Sequence, residues 1–186
     1  MTKENLYFLA IIPPALICEE IISIQQYIAT RFQSGAALKV IPHITLKAPF
    51  RFLSDQHENV IQWFDQMSIN VVPFSLELKG FAAFENPKQP VIYVKPNFNP
   101  PLFDLQKQIS HNFNTAFPDL ALKNTELPFK PHLTIAYRDL KPQFFEEARK
   151  EFQTKNYEAT FLITDFRLMQ HDGKHWDSIR SYQMQL

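Results

Sequence analysis

A nine-residue segment that occurs twice constrains this chain more than any other feature. "PHITLKAPF" spans residues 42–50 and "PHLTIAYRD" spans residues 131–139, with equivalent residues 89 positions apart. In both segments, Pro and His precede an alternation of aliphatic residues with Thr. This alternation is typical of a strand with one buried face. Either two strands of similar burial resemble each other by accident, or an internal duplication supplies the same polar pair twice to one site.

The order of the predicted elements favours duplication, because each half reads as helix, motif strand, short helix, long strand, turn and strand. The predicted helices span residues 15–32, 57–67, 101–117 and 142–153, and the other predicted strands span residues 6–12, 74–84, 90–96, 158–170 and 175–185. Helices mixed with antiparallel strands predict an α+β fold. We expect one bilobal domain over residues 1–186, with pseudo-repeats of about 1–97 and 98–186, and two antiparallel sheets that are flanked by helices and separated by a central groove.

Charge and composition narrow the class of ligand and the setting. The chain carries 19 basic and 19 acidic residues, so no broad basic surface for duplex nucleic acid is expected. A small anionic ligand needs only a local basic group. No segment approaches the roughly 20 apolar residues of a membrane span, and no targeting signal is evident. Cys18 is the only cysteine, which excludes a disulfide or a Cys-based zinc site. We expect a cytoplasmic monomer with no membrane association and no obligate protein partner.

The alternation of side chains along a strand indicates which motif residues lie on the same face. Residues i and i+2 of a strand share a face, so the aliphatic positions anchor each strand in the core and the polar positions face a cleft. The polar residues predicted to share these faces are His43, Thr45 and Lys47 in the first copy and Lys130, His132, Thr134 and Arg138 in the second. If a pseudo-two-fold axis relates the lobes, the two faces converge across the groove.

Two histidines on opposite sides of a phosphorus centre suit in-line displacement. The reference pKa of histidine is about 6.5, so one ring can be neutral and accept a proton while the other is charged and donates one. The Thr hydroxyls can donate hydrogen bonds to the non-bridging phosphoryl oxygens. A single His-x-Thr is a weak pattern, but two copies at equivalent places predict a site. This chemistry requires neither a metal ion nor a cofactor.

The segments "HITL" and "HLTI" resemble the paired motifs of the two-histidine (2H) phosphoesterase superfamily, which includes 2′-5′ RNA ligases and RNA 2′,3′-cyclic phosphodiesterases. The resemblance covers essentially the whole chain. It implies a bilobal fold with a metal-independent site between the lobes that acts on 2′,3′-cyclic or 2′-5′-linked phosphodiesters of nucleotides or RNA ends. By the same resemblance, His43 and His132 correspond to the catalytic histidines, and Thr45 and Thr134 to the phosphate-binding threonines.

Other side chains are secondary candidates. Lys47, Lys130 and Arg138 are predicted to hold phosphate, although such residues are often only solvated. Tyr93 is a candidate to stack a nucleobase, with core packing as the alternative. The same choice applies to Phe84, Trp176 and Tyr182. His171 and His175 have metal-like spacing but flank an Asp-Gly turn without acidic or Cys partners, so no metal site is expected. His57 and His111 are predicted surface residues.

Three alternatives stay open at this level. The same four residues can hold a nucleotide or RNA end without catalysis, which would make the chain a binding module. They can also catalyse 2′-5′ RNA ligation instead of hydrolysis. Within the phosphodiesterases, the substrate can be an RNA end, a 2′-5′ oligonucleotide or a small nucleotide such as ADP-ribose cyclic phosphate. The loops around the pocket determine which of these substrates is bound, and the motifs do not distinguish among the substrates.

Overall fold

The computed structural model describes residues 3–120 and 128–185. The helices are α1 (Ala15–Phe32), α2 (His57–Asp65), α3 (Pro100–Ala116) and α4 (Pro142–Gln153), with short 3-10 turns at Ala36–Lys39 and Ser54–Gln56. The strands are β1 (Glu4–Ile11), β2 (Ile44–Leu53), β3 (Phe74–Phe84), β4 (Val91–Pro96), β5 (Leu133–Ala136), β6 (Glu158–Ile163), β7 (Asp165–His171) and β8 (Trp176–Gln183). The predicted α+β class is confirmed. None of the helices in the described ranges has the length and apolar character needed to cross a bilayer.

All eight strands form one antiparallel sheet in the order β6-β3-β4-β5-β2-β1-β7-β8. Its two central strands, β5 and β2, are paired only where Ile44 lies opposite Leu133. The sheet therefore consists of two four-stranded halves joined at a single residue pair. The prediction of two separate sheets is wrong, because the two motif strands pair directly and join both halves into one sheet.

One half-sheet takes strands from both ends of the chain, whereas the middle of the chain forms the other. One half contains β1 and β2 with β7 and β8, and the other contains β3 and β4 with β5 and β6. The predicted pseudo-repeats 1–97 and 98–186 therefore do not coincide with the two halves of the sheet. The single strand predicted at 158–170 is wrong, since it is two strands that break at Thr164. β6 pairs with β3 at one edge, whereas β7 pairs with β1 in the other half.

The helices cover the halves in pairs. α1 and α4 pack on the half that contains β3 and β5, while α2 and α3 pack on the half that contains β2 and β8. In α1, the buried residues recur at helical spacing and form one stripe, which ends where Gln33 adopts a left-handed conformation (φ 56°). The buried residues of the stripe are Ile17, Cys18, Ile21, Gln25, Ile28 and Phe32.

The two hairpins agree with the sequence prediction. β3 and β4 are paired from Phe84 opposite Val91. β7 and β8 are joined around Asp172 and Gly173, whose φ of 104° favours glycine. The Asp172 carboxylate accepts hydrogen bonds from the backbone N–H groups of Lys174 and His175, both at 2.6 Å. These contacts fix the turn that precedes Trp176.

Candidate active site

The four motif residues predicted to act together line one cleft, of about 230 Å³, where β2 and β5 meet. His43 comes immediately before β2 and His132 immediately before β5, and Thr45 and Thr134 are the second residues of those strands. The convergence follows from the single pairing of Ile44 with Leu133, the aliphatic residue between His and Thr in each motif. The two His/Thr pairs therefore enter the cleft from opposite halves of the sheet.

Both histidine rings are held in the same way. His43 Nδ1 is 2.7 Å from the carbonyl oxygen of Ile41, and His132 Nδ1 is 2.8 Å from the carbonyl oxygen of Lys130. A carbonyl oxygen only accepts hydrogen bonds, so Nδ1 of each ring carries the hydrogen. In the neutral form of each ring, the lone pair is then on Nε2. The motif thus repeats a backbone contact as well as a residue type.

The surroundings of both rings favour the neutral form. Burial lowers the pKa of His43 to about 4; the bond to Ile41 opposes this shift and the nearby His132 adds to it. Burial also lowers the pKa of His132, against the bond to Lys130. Removing a cationic ring from water disfavours its charged state. At neutral pH the free protein therefore favours two neutral rings, and a bound anion would favour protonation of one of them.

Aromatic rings account for much of this burial. Phe8 lies against His43, with ring centroids 4.9 Å apart. On the other side, Phe84 and Tyr93 lie 5.0 and 5.6 Å from the His132 ring. Tyr93 also pairs with Thr134 across β4 and β5, and burial raises the pKa of its hydroxyl. Tyr93 does not line the cleft itself, so its contact with the site runs through His132.

The threonines present their hydroxyls to the cleft. Both side chains are partly exposed, and neither hydroxyl has a hydrogen-bond partner within residues 3–120 and 128–185. Behind Thr134, the buried side chain of Gln25 donates from Nε2 to the Thr134 carbonyl oxygen at 3.0 Å. This bond ties α1 to β5 next to the site. The hydroxyls are thus available as donors to an anion.

The three cationic residues that were predicted to hold phosphate lie in different places. Arg138 is exposed and lines the cleft; its backbone has a φ of 55°, and its guanidinium lies 5.0 Å from the centroid of the Tyr137 ring. Lys130 is also exposed but lines a neighbouring cavity, and its carbonyl oxygen is the one that holds His132. Of the three cationic side chains, only that of Arg138 is at the cleft.

The predicted place of Lys47 on the His43 face is wrong. Ala10 of β1 lies opposite Thr45, but the next residue along β1, Leu9, lies opposite Lys47. One residue on β1 therefore corresponds to two on β2, which is a β-bulge, and it turns Lys47 to the other face of the sheet. There Lys47 is 3% exposed, and its Nζ lies 4.4 Å from the centroid of the Phe113 ring on α3. Strict alternation cannot reveal such a bulge.

A carboxylate at the end of the second motif holds the loop that leads to the first. Asp139 Oδ1 accepts a hydrogen bond from the Ser34 hydroxyl at 2.8 Å. Asp139 Oδ2 accepts from the backbone N–H groups of Gly35 and Ala36 at 3.0 and 2.9 Å. The same loop continues through Ile41, whose carbonyl holds His43, and its residues form one wall of the cleft.

Among the residues of the cleft wall, Phe8 and Gln25 were not identified as site residues from the sequence, whereas Trp176 was a secondary candidate. Phe8 and Trp176 line the cleft and meet edge to face, 4.6 Å apart. Trp176 therefore lies at the site, whereas Tyr182 stacks on Phe166 in the core. Phe8 sits in an apolar run that gives no hint of a site. The sequence does indicate that Gln25 is unusual, because it is a polar residue within the apolar stripe of α1.

The remaining histidines lie apart from the cleft. His57 begins α2 and its Nδ1 is 2.8 Å from the Tyr7 hydroxyl, while His111 is exposed on α3. His171 Nδ1 accepts from the Gly173 N–H at 3.1 Å within the β7–β8 turn. In the described parts of the chain, no group of three or more His, Cys, Asp or Glu side chains is arranged to hold a metal ion.

The comparison with known families covers most of the chain. A family model described as the 2′-5′ RNA ligase superfamily matches residues 13–175. The chain belongs to this superfamily. The resemblance to the two-histidine phosphoesterases, which the two motifs indicated, is thereby confirmed.

Individual relatives have low sequence identity to this chain and match only part of it. A Bacillus cytotoxicus protein, provisionally named a phosphoesterase, is 34% identical over 99 residues, which is 53% of each chain. A Bacillus mycoides protein with a similar name is 28% identical over 130 residues, or 70% of each chain. The chain spans about half the length of the first of these curated relatives. Both relatives carry the provisional name phosphoesterase.

Solved structures extend the likeness over the whole fold. E. coli LigT complexed with 3′-AMP is 18% identical with a TM-score of 0.69, covering 99% of this chain and 100% of that one. The protein TT0787 of Thermus thermophilus is 15% identical with a TM-score of 0.64, covering 97% of both chains. At such identities, the similarity is one of fold alone.

Proposed function

We propose that this protein is a metal-independent phosphodiesterase that acts on 2′,3′-cyclic phosphate or 2′-5′ phosphodiester bonds of nucleotides or RNA ends. His43 and His132 are its catalytic acid–base pair, and Thr45 and Thr134 bind the reacting phosphate. Membership of the 2′-5′ RNA ligase superfamily supports the class of reaction. The neutral net charge favours a small or terminal phosphodiester over a long duplex.

One observation carries the proposal: two histidines line a single cleft, and each is held through Nδ1 by the carbonyl of the residue two positions earlier. A site that only binds an anion is served by any cation, and it needs no pair of rings with pKa values lowered by burial. Two such rings with free Nε2 atoms are suited to move one proton each. This matched pair favours catalysis over a binding module.

We assign His43 as base and His132 as acid, because the nearby His132 adds to the lowering of the His43 pKa that burial causes. Burial lowers the pKa of His43 to about 4, so it is the ring more readily kept neutral when an anion binds. For a 2′,3′-cyclic phosphate, His43 Nε2 takes a proton from water as the water oxygen bonds to phosphorus. The bond from phosphorus to one ribose oxygen breaks, and His132 Nε2 gives that oxygen its proton. Solvent exchange then restores both rings.

The other cleft residues stabilise the charge that develops on phosphorus. In the proposed mechanism, the Thr45 and Thr134 hydroxyls, which line the cleft, donate hydrogen bonds to the non-bridging oxygens. Arg138, at the rim, supplies a permanent positive charge in addition to that of the protonated His132. Phe8 and Trp176 offer apolar surface for the sugar or base. Solved complexes of E. coli LigT contain 3′-AMP and ATP, which is consistent with a nucleotide ligand here.

The test is a substrate screen in the presence of a chelator. Purified protein is incubated with 2′,3′-cyclic AMP, a 2′-5′-linked diadenylate and ADP-ribose cyclic phosphate, with and without EDTA. We expect turnover of at least one substrate at a rate that EDTA does not change. Activity that EDTA abolishes and a divalent ion restores would indicate a metal-bound hydroxide instead. Micromolar nucleotide binding without turnover of any substrate would indicate a binding module.

A further inference from the structure

A second cavity adjoins the candidate active site. It has a volume of about 360 Å³ and shares the side chains of Thr45 and His132 with the cleft. The cleft itself, at about 230 Å³, is smaller than the roughly 300–1,000 Å³ of typical sites for drug-sized ligands. A phosphate placed between Thr45 and His132 therefore has additional space on the side away from Arg138 and Trp176.

The walls of this cavity are aromatic and apolar. Phe84 and Phe129 both line it, and neither is fully buried. Phe84 lies against His132, and Phe129 packs edge to face on Phe103 of α3, with ring centroids 5.3 Å apart. Each ring thus packs against another ring. Aromatic faces fixed in this way are suited to stack a flat heterocycle of any sequence.

One polar side chain stands out in the apolar wall. Gln106 of α3 is 7% exposed and lines the cavity. Its Nε2 donates to the Ser110 hydroxyl at 2.9 Å, and its Oε1 accepts no hydrogen bond from residues 3–120 or 128–185. This oxygen does not belong to the buried side-chain atoms that lack a partner, so a donor from a ligand or from water can reach it. Every nucleobase has an N–H group on its hydrogen-bonding edge.

We propose that this cavity is a second nucleobase subsite, in which Phe84 and Phe129 hold the base and Gln106 Oε1 accepts from its edge. This inference rests on the proposed phosphodiesterase function and specifies its substrate. The preferred substrate carries a nucleoside on each side of the reacting phosphorus, one in the cleft and one in the cavity. Lys130, exposed at the cavity wall, is placed to meet the phosphate of a further nucleotide.

The experiment compares two substrates that differ by a single base. One is a 2′-5′-linked diadenylate, and the other is the same molecule without the adenine on the nucleoside joined through its 5′-oxygen. We expect kcat/KM to be about tenfold higher for the complete dinucleotide, the size of effect that stacking one base supplies. Equal values for the two substrates would overturn the subsite.

Variants then test the residues. Phe129→Leu keeps apolar bulk without an aromatic face, and Gln106→Met keeps the shape of the side chain without the oxygen. Each is expected to reduce the preference for the complete dinucleotide over the abasic analogue to within about threefold. Phe144→Leu, a partly buried aromatic residue on α4, is the matched control and should keep the preference. A variant that slows all substrates alike would contradict the assignment.

Failure of the subsite is distinguishable from failure of the proposed function. If no substrate is turned over, the catalytic proposal is refuted, and equilibrium binding of the two dinucleotides by the wild-type protein decides the subsite. Tighter binding of the complete dinucleotide that Phe129→Leu removes would support the subsite. Equal binding would overturn it.

Discussion

At the residue scale, each candidate histidine combines an anchor with a desolvated environment. The Nδ1 bond to a backbone carbonyl fixes the ring, and the aromatic neighbours exclude water. The anchor stabilises the protonated ring and desolvation destabilises it, and desolvation is the larger effect for both. In the free protein, the rings therefore titrate below the ordinary pKa of histidine, about 6.5.

This balance predicts an acidic pH optimum for kcat/KM, which reports the free enzyme. The competent form has one neutral and one protonated ring. Because burial lowers the pKa of both rings, the second ring loses its proton while the pH is still below 6.5, and the competent form disappears. We expect kcat/KM for 2′,3′-cyclic AMP to be greatest below pH 6.5 and to fall across neutrality. The kcat optimum should lie at higher pH, since a bound phosphate anion raises the pKa of both rings.

The measurement is a pH profile from about 5 to 9, with both kinetic parameters obtained at each pH. Thr45→Val is the control for shape: it should lower the rate throughout and leave the limbs in place, because threonine does not titrate in this range. A kcat/KM that rises from pH 6 to pH 8 would contradict the assignment of a protonated histidine to the acid role.

At the element scale, the site is built where elements begin and end. His43 and His132 precede their strands, so their own backbone is outside the regular ladder, and Arg138 follows β5 in a left-handed conformation. The loop from α1 to β2 is held to the end of the second motif by Asp139. The end of the second motif thus positions the first, because it fixes the loop that carries the first histidine.

Asp139→Asn tests this connection. The amide retains the shape of the carboxylate but loses its charge and one acceptor oxygen. We expect the free energy of unfolding to fall by about 1.5–3 kcal/mol, as for hydrogen bonds to a charged group. The value of kcat per folded molecule should also fall, because the wall that carries His43 loses its anchor. Chemical denaturation and steady-state kinetics provide the two readouts.

Asp55→Asn, a substitution at an exposed position before α2, is the control and should change neither quantity. An Asp139→Asn protein with wild-type kcat and reduced stability would restrict Asp139 to a purely structural role.

The element scale also separates what the sequence predicts well from what it does not. Helix α4 and the β3–β4 hairpin follow from local periodicity and turn residues, and both agree with the structure. The break at Thr164 was missed because the alternation continues unchanged while the chain passes from one half-sheet to the other. The position of Lys47 was missed because a bulge depends on the partner strand. Phe129 and Gln106 gave no local signal of a cavity.

At the scale of the whole molecule, the two halves of the sheet are joined at one residue pair, and the candidate site lies beside it. Each half contributes one histidine and one threonine, so neither half contains a complete site. The chain leaves one half after β2, forms the whole of the other half from β3 to β6, and returns to the first half at β7. This arrangement places the two motif strands side by side at the centre of the sheet.

The central claim is that His43 and His132 act as one acid–base pair, and double-mutant kinetics tests it most directly. Turnover of the best substrate from the screen is measured for wild type, His43→Ala, His132→Ala and the double variant, with His111→Ala as an exposed histidine control. We predict a loss of about 10²–10⁴-fold for each single variant, no loss for the control, and a loss for the double variant far smaller than the product of the two single losses. Near wild-type turnover in either single variant, or fully multiplicative losses in the double variant, would contradict the paired mechanism.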